Sequence, residues 1–354
     1  MSYRCGGIGL SGYFQAKSDI RQDFYTINGY NETMFHFFLK RMLTWTGVLR
    51  FLLIKNLFSS LQRFVACCGA APIRLSNNGY ALFHIAADDI PSKMVFAGYR
   101  FLLAGLVLLL FALASGKAIG SLKKGQYKQI AILGLTQTTL QYVFFYIGLA
   151  YTTGVKGSIM NATGTFFSVL LAHYIYKNDR LTFNKIIGCA LGFAGVMVVN
   201  FGSDLMDFNF SLMGEGCVVL AAFILSAASI YGKRISQTMD TTVMTGYQLA
   251  IGGLVLTIGG YLFGGDLTDF GWRALLLLGY LVLLSSAAFA LWSLLLKYNR
   301  VGMVAPFNFI IPISGAVLSA IFLNESILEW KNAIALVLVC VGIVLVNRIK
   351  QGRS

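Results

Sequence analysis

Residues 98–109 read "GYRFLLAGLVLL", and residues 246–257 read "GYQLAIGGLVLT", 148 positions further on. Two other pairs of stretches repeat at a spacing of 147. "NATGTFFSVLLAHYIY" from Asn161 matches "NFIIPISGAVLSAIFL" from Asn308, and "GVMVVN" at 195–200 matches "GIVLVN" at 342–347. Self-similarity at a fixed period indicates repeated structural units. The chain is therefore predicted to consist of two homologous halves, joined near residues 202–212.

The composition is that of a membrane protein. The 354 residues are 57% hydrophobic and only 12% charged, whereas a soluble domain carries about twice that charged fraction. Nine apolar stretches are long enough, or nearly so, to cross a hydrocarbon core of about 30 Å. Each is expected to be helical, because a chain in lipid must satisfy its backbone hydrogen bonds internally. They cover 94–115, 129–151, 157–176, 184–201, 213–232, 243–264, 273–296, 302–323 and 331–347.

The basic residues predict the orientation. The net charge of +14 does not point to nucleic acid, since the main body contains no long basic run. One set of alternate loops holds fourteen Lys and Arg residues and the opposite set holds four. The richer set is predicted to be cytoplasmic, with the C-terminus. It comprises Lys117, Lys123, Lys124, Lys128, Lys177, Arg180, Lys185, Lys233, Arg234, Lys297, Arg300, Arg348, Lys350 and Arg353.

The N-terminal region requires one more crossing. Residues 1–63 are basic and are also expected to stay inside, which nine crossings do not allow. A tenth crossing near 65–88 resolves the parity, although Arg74 and two asparagines interrupt it. The stretch 34–55 competes for this role, but its basic residues share one half of a helical wheel, which is typical of a helix lying in the membrane surface.

The fold class predicted from these patterns is an all-α polytopic membrane protein. It has ten transmembrane helices, arranged as two inverted five-helix repeats with an atypical first helix. An odd number of helices per half makes the second half enter the membrane upside down, which is a common plan of secondary transporters. The predicted organisation is a basic N-terminal extension with an interfacial helix (1–63), a first repeat (64–201), a second repeat (213–347) and a cytoplasmic tail (348–354).

The chain resembles EamA-type permeases of the drug/metabolite transporter superfamily. The resemblance is carried by "GYRFLLAG" from Gly98, by residues 144–181, and by "VAPFNFIIPISGAVLSAIFLNESI" at 304–327. It implies ten helices in the cell membrane, cytoplasmic termini, and export or uptake of a small metabolite by alternating access. Residues 1–78 depart from it, because the first helix of the family usually begins with a clean apolar run.

Polar side chains inside apolar spans are the candidate substrate-binding residues, because each costs free energy unless it faces protein or water. Arg100 either snorkels to the outer interface or faces a cavity for an anionic substrate. Interhelical hydrogen bonding and packing compete with a binding role for the others. The candidates are Arg100, Gln137, Gln141, Tyr142, Asn161, Gln248, Trp292 and Asn308, in which Arg100 with Gln248 and Asn161 with Asn308 are equivalent in the repeat.

The sequence favours a transporter over an enzyme. The sequence contains no GxxxxGK[ST] phosphate loop, HExxH motif or visible nucleophile–base set, so neither a cofactor nor a metal is expected. The predicted function is secondary transport of a small metabolite, amino acid or drug-like compound, with export favoured. The alternative is an intramembrane enzyme or a lipid-handling protein. The expected partners are the small-molecule substrate and the lipid bilayer, and a homodimer stays open.

The topology is testable by labelling. Cysteines introduced at Asp207 and Asp269 are expected to react with an impermeant thiol reagent from outside intact cells, because the acidic loops are predicted to lie there. Cysteines at Lys124 and Arg234 are expected to react only after the membrane is opened. External labelling at Lys124 would contradict the inverted-repeat assignment.

Overall fold

A computed structural model of the chain describes residues 83, 85–86, 89–120, 122–152, 154–199, 211–267, 271–311 and 330–347. All regular structure in these ranges is helical. The helices are α1 (Ile90–Ala114), α2 (Lys124–Ala150), α3 (Gly154–Ala162), α4 (Gly164–Ile175), α5 (Phe183–Val199), α6 (Leu212–Ser236), α7 (Thr241–Leu262), α8 (Trp272–Tyr298), α9 (Val301–Val304) and α10 (Trp330–Asn347).

Five helices are long and apolar enough to cross a membrane, namely α1, α2, α6, α7 and α8. They correspond to five of the predicted spans, and the multi-pass membrane character of the chain is confirmed. Among the described residues, no other helix is both long and apolar enough to cross a membrane, so the other five predicted crossings stay predictions. The crossing near 65–88 and the surface helix near 34–55 lie outside the described residues, as does most of 302–323.

Helices α1 and α7, which contain the repeated opening stretch, pack against each other along most of their lengths. A Cβ added to Gly105 would lie 2.4 Å from the backbone N of Ala250, and one added to Gly253 would lie 2.3 Å from the backbone N of Leu102. Only glycine permits so close a contact between two backbones. Because residue 105 meets 246–250 while residue 98 meets 253–257, the helices run antiparallel.

Helices α5 and α10 form a second pair of the same kind. Gly188 and Gly342 face each other, since a Cβ on either would lie 2.5 Å from the carbonyl oxygen of the other. A Cβ on Gly195 would lie 2.9 Å from the carbonyl oxygen of Ala335. Position 188 corresponds to 335 in the second half, and position 342 corresponds to 195 in the first half. The two contacts are therefore repeat equivalents of each other. In both helix pairs, repeat-equivalent helices therefore contact each other through equivalent small residues.

A π-helical turn lies in the region where the repeat spacing changes from 148 to 147. Helix α2 contains such a turn at Leu135–Leu140, whereas α8 is α-helical throughout. The Thr139 hydroxyl donates to the Gly252 carbonyl at 2.9 Å, and the Ser286 hydroxyl donates to the Ala104 carbonyl at 3.1 Å. The acceptors are 148 residues apart but the donors only 147. The extra residue of the first half therefore lies between Ala104 and Thr139, a stretch that includes the start of the wider π turn at Leu135.

The predicted span 157–176 is interrupted at Thr163, where α3 ends before α4 begins. The Thr163 backbone N–H donates to the carbonyl of Met160, three residues back, instead of four, and its hydroxyl donates to the same carbonyl. The equivalent region of the second half is also irregular, since α9 continues into a 3₁₀ helix at Ala305–Phe309 that contains Pro306. Proline lacks the N–H that an α-helix would use there.

The glycine contact between α1 and α7 makes a stability prediction. Gly105→Ala is expected to lower the free energy of unfolding by about 1–3 kcal/mol, because the added methyl group overpacks a backbone contact. Gly279→Ala is the matched control, since Gly279 also lies within a long helix but has no atom within 4 Å of an added Cβ. Unfolding in mixed micelles measures both variants. Equal stability of Gly105→Ala and the control would show that the contact is not close.

Candidate functional site

A pocket lies between α2, α6, α7 and α8 near the ends of α6 and α8 that carry Lys233 and Lys297, which we call the basic end. It is narrow: its atom-free space of about 230 Å³ includes open solvent, and in this conformation it has room for about one water molecule. Both halves of the chain contribute, because α2 belongs to the first repeat and the other three helices to the second. Its lining consists of Gln137, Ser229, Gly232, Lys233, Met244, Gln248, Trp292, Ser293 and Leu296.

Two buried glutamines join the halves at this pocket. The Nε2 of Gln248 on α7 donates to Oε1 of Gln137 on α2 at 3.0 Å. The side chains are 1% and 5% exposed respectively. A Cβ on Gly134 would lie 2.7 Å from the Gln248 carbonyl oxygen, so a glycine one turn before Gln137 lets α2 approach α7. Primary amides both donate and accept, so each retains hydrogen-bonding capacity beyond their mutual bond.

The other walls are mixed in polarity. The ring of Trp292 and the side chains of Met244 and Leu296 provide apolar surface, and Ser229 and Ser293 add hydroxyl groups. Lys233 is the titratable residue among the lining side chains. Apolar walls with a few polar groups at fixed positions are the composition of small-molecule sites, but this pocket is far smaller than such sites and would have to widen to admit a metabolite.

Arg100 and Tyr142 meet at Phe101 and not at the pocket. The Arg100 guanidinium lies over the Phe101 ring, 4.6 Å from its centroid, and the Tyr142 ring centroid lies 4.6 Å from that of Phe101. The Nε of Arg100 is buried and makes no hydrogen bond within the described part of the chain. Because Arg100 is the repeat equivalent of Gln248, these residues mark the corresponding region of the other half.

The structure brings together three of the eight candidates, Gln137, Gln248 and Trp292. Gln141 is buried on α2, one α-helical turn from Gln137, but does not line the pocket. Asn161 is exposed on α3, and Asn308 is partly buried in the 3₁₀ segment after α9. The binding roles of all eight candidates stay predictions.

Ionic contacts connect the helices at the basic end. Lys117, after α1, pairs with Asp240 at the start of α7 at 2.9 Å. Burial raises the pKa of Asp240, but hydrogen bonds from Lys117 and from the backbone N–H groups of Val243 and Thr242 outweigh it and hold that pKa below its ordinary value. Buried Asp179 pairs with Lys185 and accepts a 2.8 Å hydrogen bond from the backbone N–H of Gly302.

Sequence reasoning missed most of the smaller pocket residues. Ser229, Gly232 and Lys233 lie within one turn of α6, and the i, i+4 spacing of Ser229 and Lys233 places them on one helix face. This spacing could have indicated a polar helix face, but Lys233 was assigned to a cytoplasmic loop because of its charge. No group of three or more His, Cys, Asp or Glu side chains that could hold a metal occurs among the residues that the structure describes.

Comparison with known proteins gives a family match in both halves. The EamA-like transporter family matches residues 79–201 and 212–348. The chain is 27% identical over 274 residues to the uncharacterized transporter YvbV of Bacillus subtilis, covering 74% of this chain and 85% of that protein. It is 25% identical over 260 residues to a chloroplastic WAT1-related protein of Arabidopsis thaliana, covering 71% of this chain and 62% of that protein.

A solved crystal structure shares the fold. It matches 81% of this chain and 96% of its own chain with a TM-score of 0.65, at 17% sequence identity. The resemblance noted from the sequence is thus confirmed at the level of the family. An all-helical membrane transporter is the class that these findings support.

The glutamine pair makes a prediction about stability. Gln248→Leu is expected to lower the free energy of unfolding by about 1–3 kcal/mol, because it leaves the buried Gln137 amide without its partner. The double variant Gln137→Leu with Gln248→Leu is expected to lose less than the sum of the single variants. Unfolding of purified protein in mixed micelles measures the cycle. Strictly additive losses would show that the two amides do not interact.

Proposed function

Because this chain belongs to the EamA-like transporter family, we propose that it moves a small polar metabolite across the cell membrane by alternating access. Its two halves are proposed to be inverted repeats in a ten-helix bundle with cytoplasmic termini, which puts the basic end in the cytoplasm. The transported compound binds at the pocket between α2, α6, α7 and α8, which widens to admit it when the halves move. Export is the proposed direction, since the pocket lies near the end of the bundle that is proposed to be cytoplasmic.

The observation that carries this proposal is the hydrogen bond between Gln137 and Gln248. The two amides are buried between helices of different repeats, and transporters with inverted repeats bind their substrates at the interface of the repeats. A purely structural bond would suffice to hold the helices together, but here the amides also line a pocket with Trp292. A substrate that hydrogen-bonds both amides would thus contact both halves at once.

The helix irregularities supply places where the halves can move. The π turn of α2 begins two residues before Gln137, and the chain is interrupted at Thr163 and again at the 3₁₀ segment Ala305–Phe309. Interrupted helices near a site are a recurring feature of transporters that rock one bundle against the other. Both interruptions flank repeat-equivalent Asn161 and Asn308, which we propose become accessible to substrate in another state of the cycle, as Arg100 and Tyr142 do.

Counterflow in proteoliposomes tests this function. Vesicles containing the full chain are preloaded with single metabolites or amino acids, and exchange of the labelled compound is followed. Unmodified protein is expected to exchange at least one compound without changing it chemically. The double variant Gln137→Leu with Gln248→Leu is expected to lower that exchange about tenfold or more, as loss of hydrogen bonds to substrate does.

Gln237→Leu is the matched control for this experiment. Gln237 is an exposed glutamine near the basic end whose Nε2 donates to the Lys297 carbonyl at 3.1 Å, and it does not line the pocket. Its exchange rate is expected to equal that of the unmodified protein. Chemical conversion of the loaded compound, or full exchange by the double variant, would contradict the proposal.

A further inference from the structure

Lys233 is a charged side chain at a pocket whose other polar groups are neutral amides and hydroxyls. It lies in the last turn of α6, yet its side chain is partly buried and lines the same pocket as Gln137 and Gln248. The other lining residues are neutral, so Lys233 brings one positive charge to the edge of the pocket, where its ammonium contacts residues outside the lining. A buried or half-buried cation costs free energy unless something compensates for it.

The compensation within the described residues is incomplete. The Lys233 ammonium donates to the backbone carbonyl of Asn299 and lies 5.5 Å from the centroid of the Tyr176 ring. No carboxylate among the described side chains lies within ion-pair distance of it. Asp179, the nearby acid, already pairs with Lys185 and accepts the Gly302 N–H.

An anionic ligand is the better partner for this ammonium. An ammonium group has three donors, and a carbonyl acceptor carries only part of a charge. Hydrogen bonds between an ammonium and a carboxylate are roughly twice as strong as those between neutral groups. The pocket presents a single cation, so a single negative charge balances it.

We propose that Lys233 receives the carboxylate of the transported compound, which places small carboxylic acids and amino acids in the substrate class of this pocket. The amides of Gln137 and Gln248 then hydrogen-bond the remaining polar groups, and Trp292 packs against the apolar part. This inference rests on the proposed transport function, but binding of a carboxylate at Lys233 can be measured without transport.

A binding experiment on the purified full-length protein tests the assignment. Its thermal unfolding midpoint is recorded with the L-amino acids and with acetate, lactate and benzoate, and then with the primary amide of each compound. A ligand that binds only the folded state raises the midpoint. At least one acid is expected to raise it, with an apparent affinity about tenfold or more above that of its amide.

Variants then assign the preference to Lys233. Lys233→Met is expected to abolish the difference between acid and amide, and Lys233→Arg to preserve it. Lys297→Met is the matched control, because the Lys297 ammonium also donates to a backbone carbonyl at the basic end, that of Met239 at 3.3 Å, but does not line the pocket. Lys297→Met is expected to bind acids as the unmodified protein does. If Lys233→Met does not fold, Lys233→Gln takes its place.

Three results would overturn the proposal. They are amides that bind as well as acids, a Lys233→Met protein that keeps the preference, and the absence of stabilisation by every acid tested. Parallel counterflow separates this inference from the proposed function. Exchange of neutral compounds alone would leave transport standing and remove Lys233 from the site, whereas binding of acids without exchange would do the reverse.

Discussion

The close contact between the backbones of α1 and α7 is the constraint on which the rest of the described structure depends. At Gly105 and Gly253 each helix reaches the main chain of the other, which side chains of any size would prevent. Transmembrane helices gain little from the hydrophobic effect on association and depend on such packing instead. Since these helices are repeat equivalents running antiparallel, the same contact joins the two halves and fixes their relative direction.

The opposite side of α7 then builds the pocket. A Cβ on Gly252 would lie 2.5 Å from the Gly134 carbonyl oxygen, so α2 approaches α7 as closely as α1 does. This second contact places Gln137 within hydrogen-bonding distance of Gln248. Glycines on two sides of one helix thus produce a buried amide pair between the halves, and the pocket follows from packing that the repeat itself provides.

The two halves differ where the site lies. Arg100 in the first half stands where the second half has Gln248, and α2 has a π turn that α8 lacks. Symmetric halves would present the same groups to both faces of a pathway. The pocket at the basic end has two amides and a lysine among its lining residues, whereas the other region has the Arg100 guanidinium over the Phe101 ring. The departures from symmetry are therefore the best guide to the chemistry of the transported compound.

Much of this arrangement could be predicted from the sequence, because hydrophobic length and repeat spacing depend on few residues. The five long helices and the family were accessible in this way, and three of the eight candidate residues, Gln137, Gln248 and Trp292, line one pocket. The break at Thr163 was not, because it depends on a local hydrogen bond to Met160 that no periodicity reveals. Lys233 was also missed, since a cation near a helix end has the same pattern whether it faces a loop or a pocket.

Disulfide cross-linking between α1 and α7 tests the central claim most directly. The experiment uses a chain whose native cysteines have been replaced and which is cut within 202–212, so that a disulfide joins two fragments. A Cβ on Gly246 would lie 2.9 Å from Leu109 Cγ. Cysteines at 109 and 246 are therefore predicted to cross-link. Cysteines at 109 and 257 are predicted not to cross-link, because antiparallel packing separates these repeat-equivalent positions. If the pair 109 and 257 cross-links and the pair 109 and 246 does not, the helices run parallel and the two halves are not inverted.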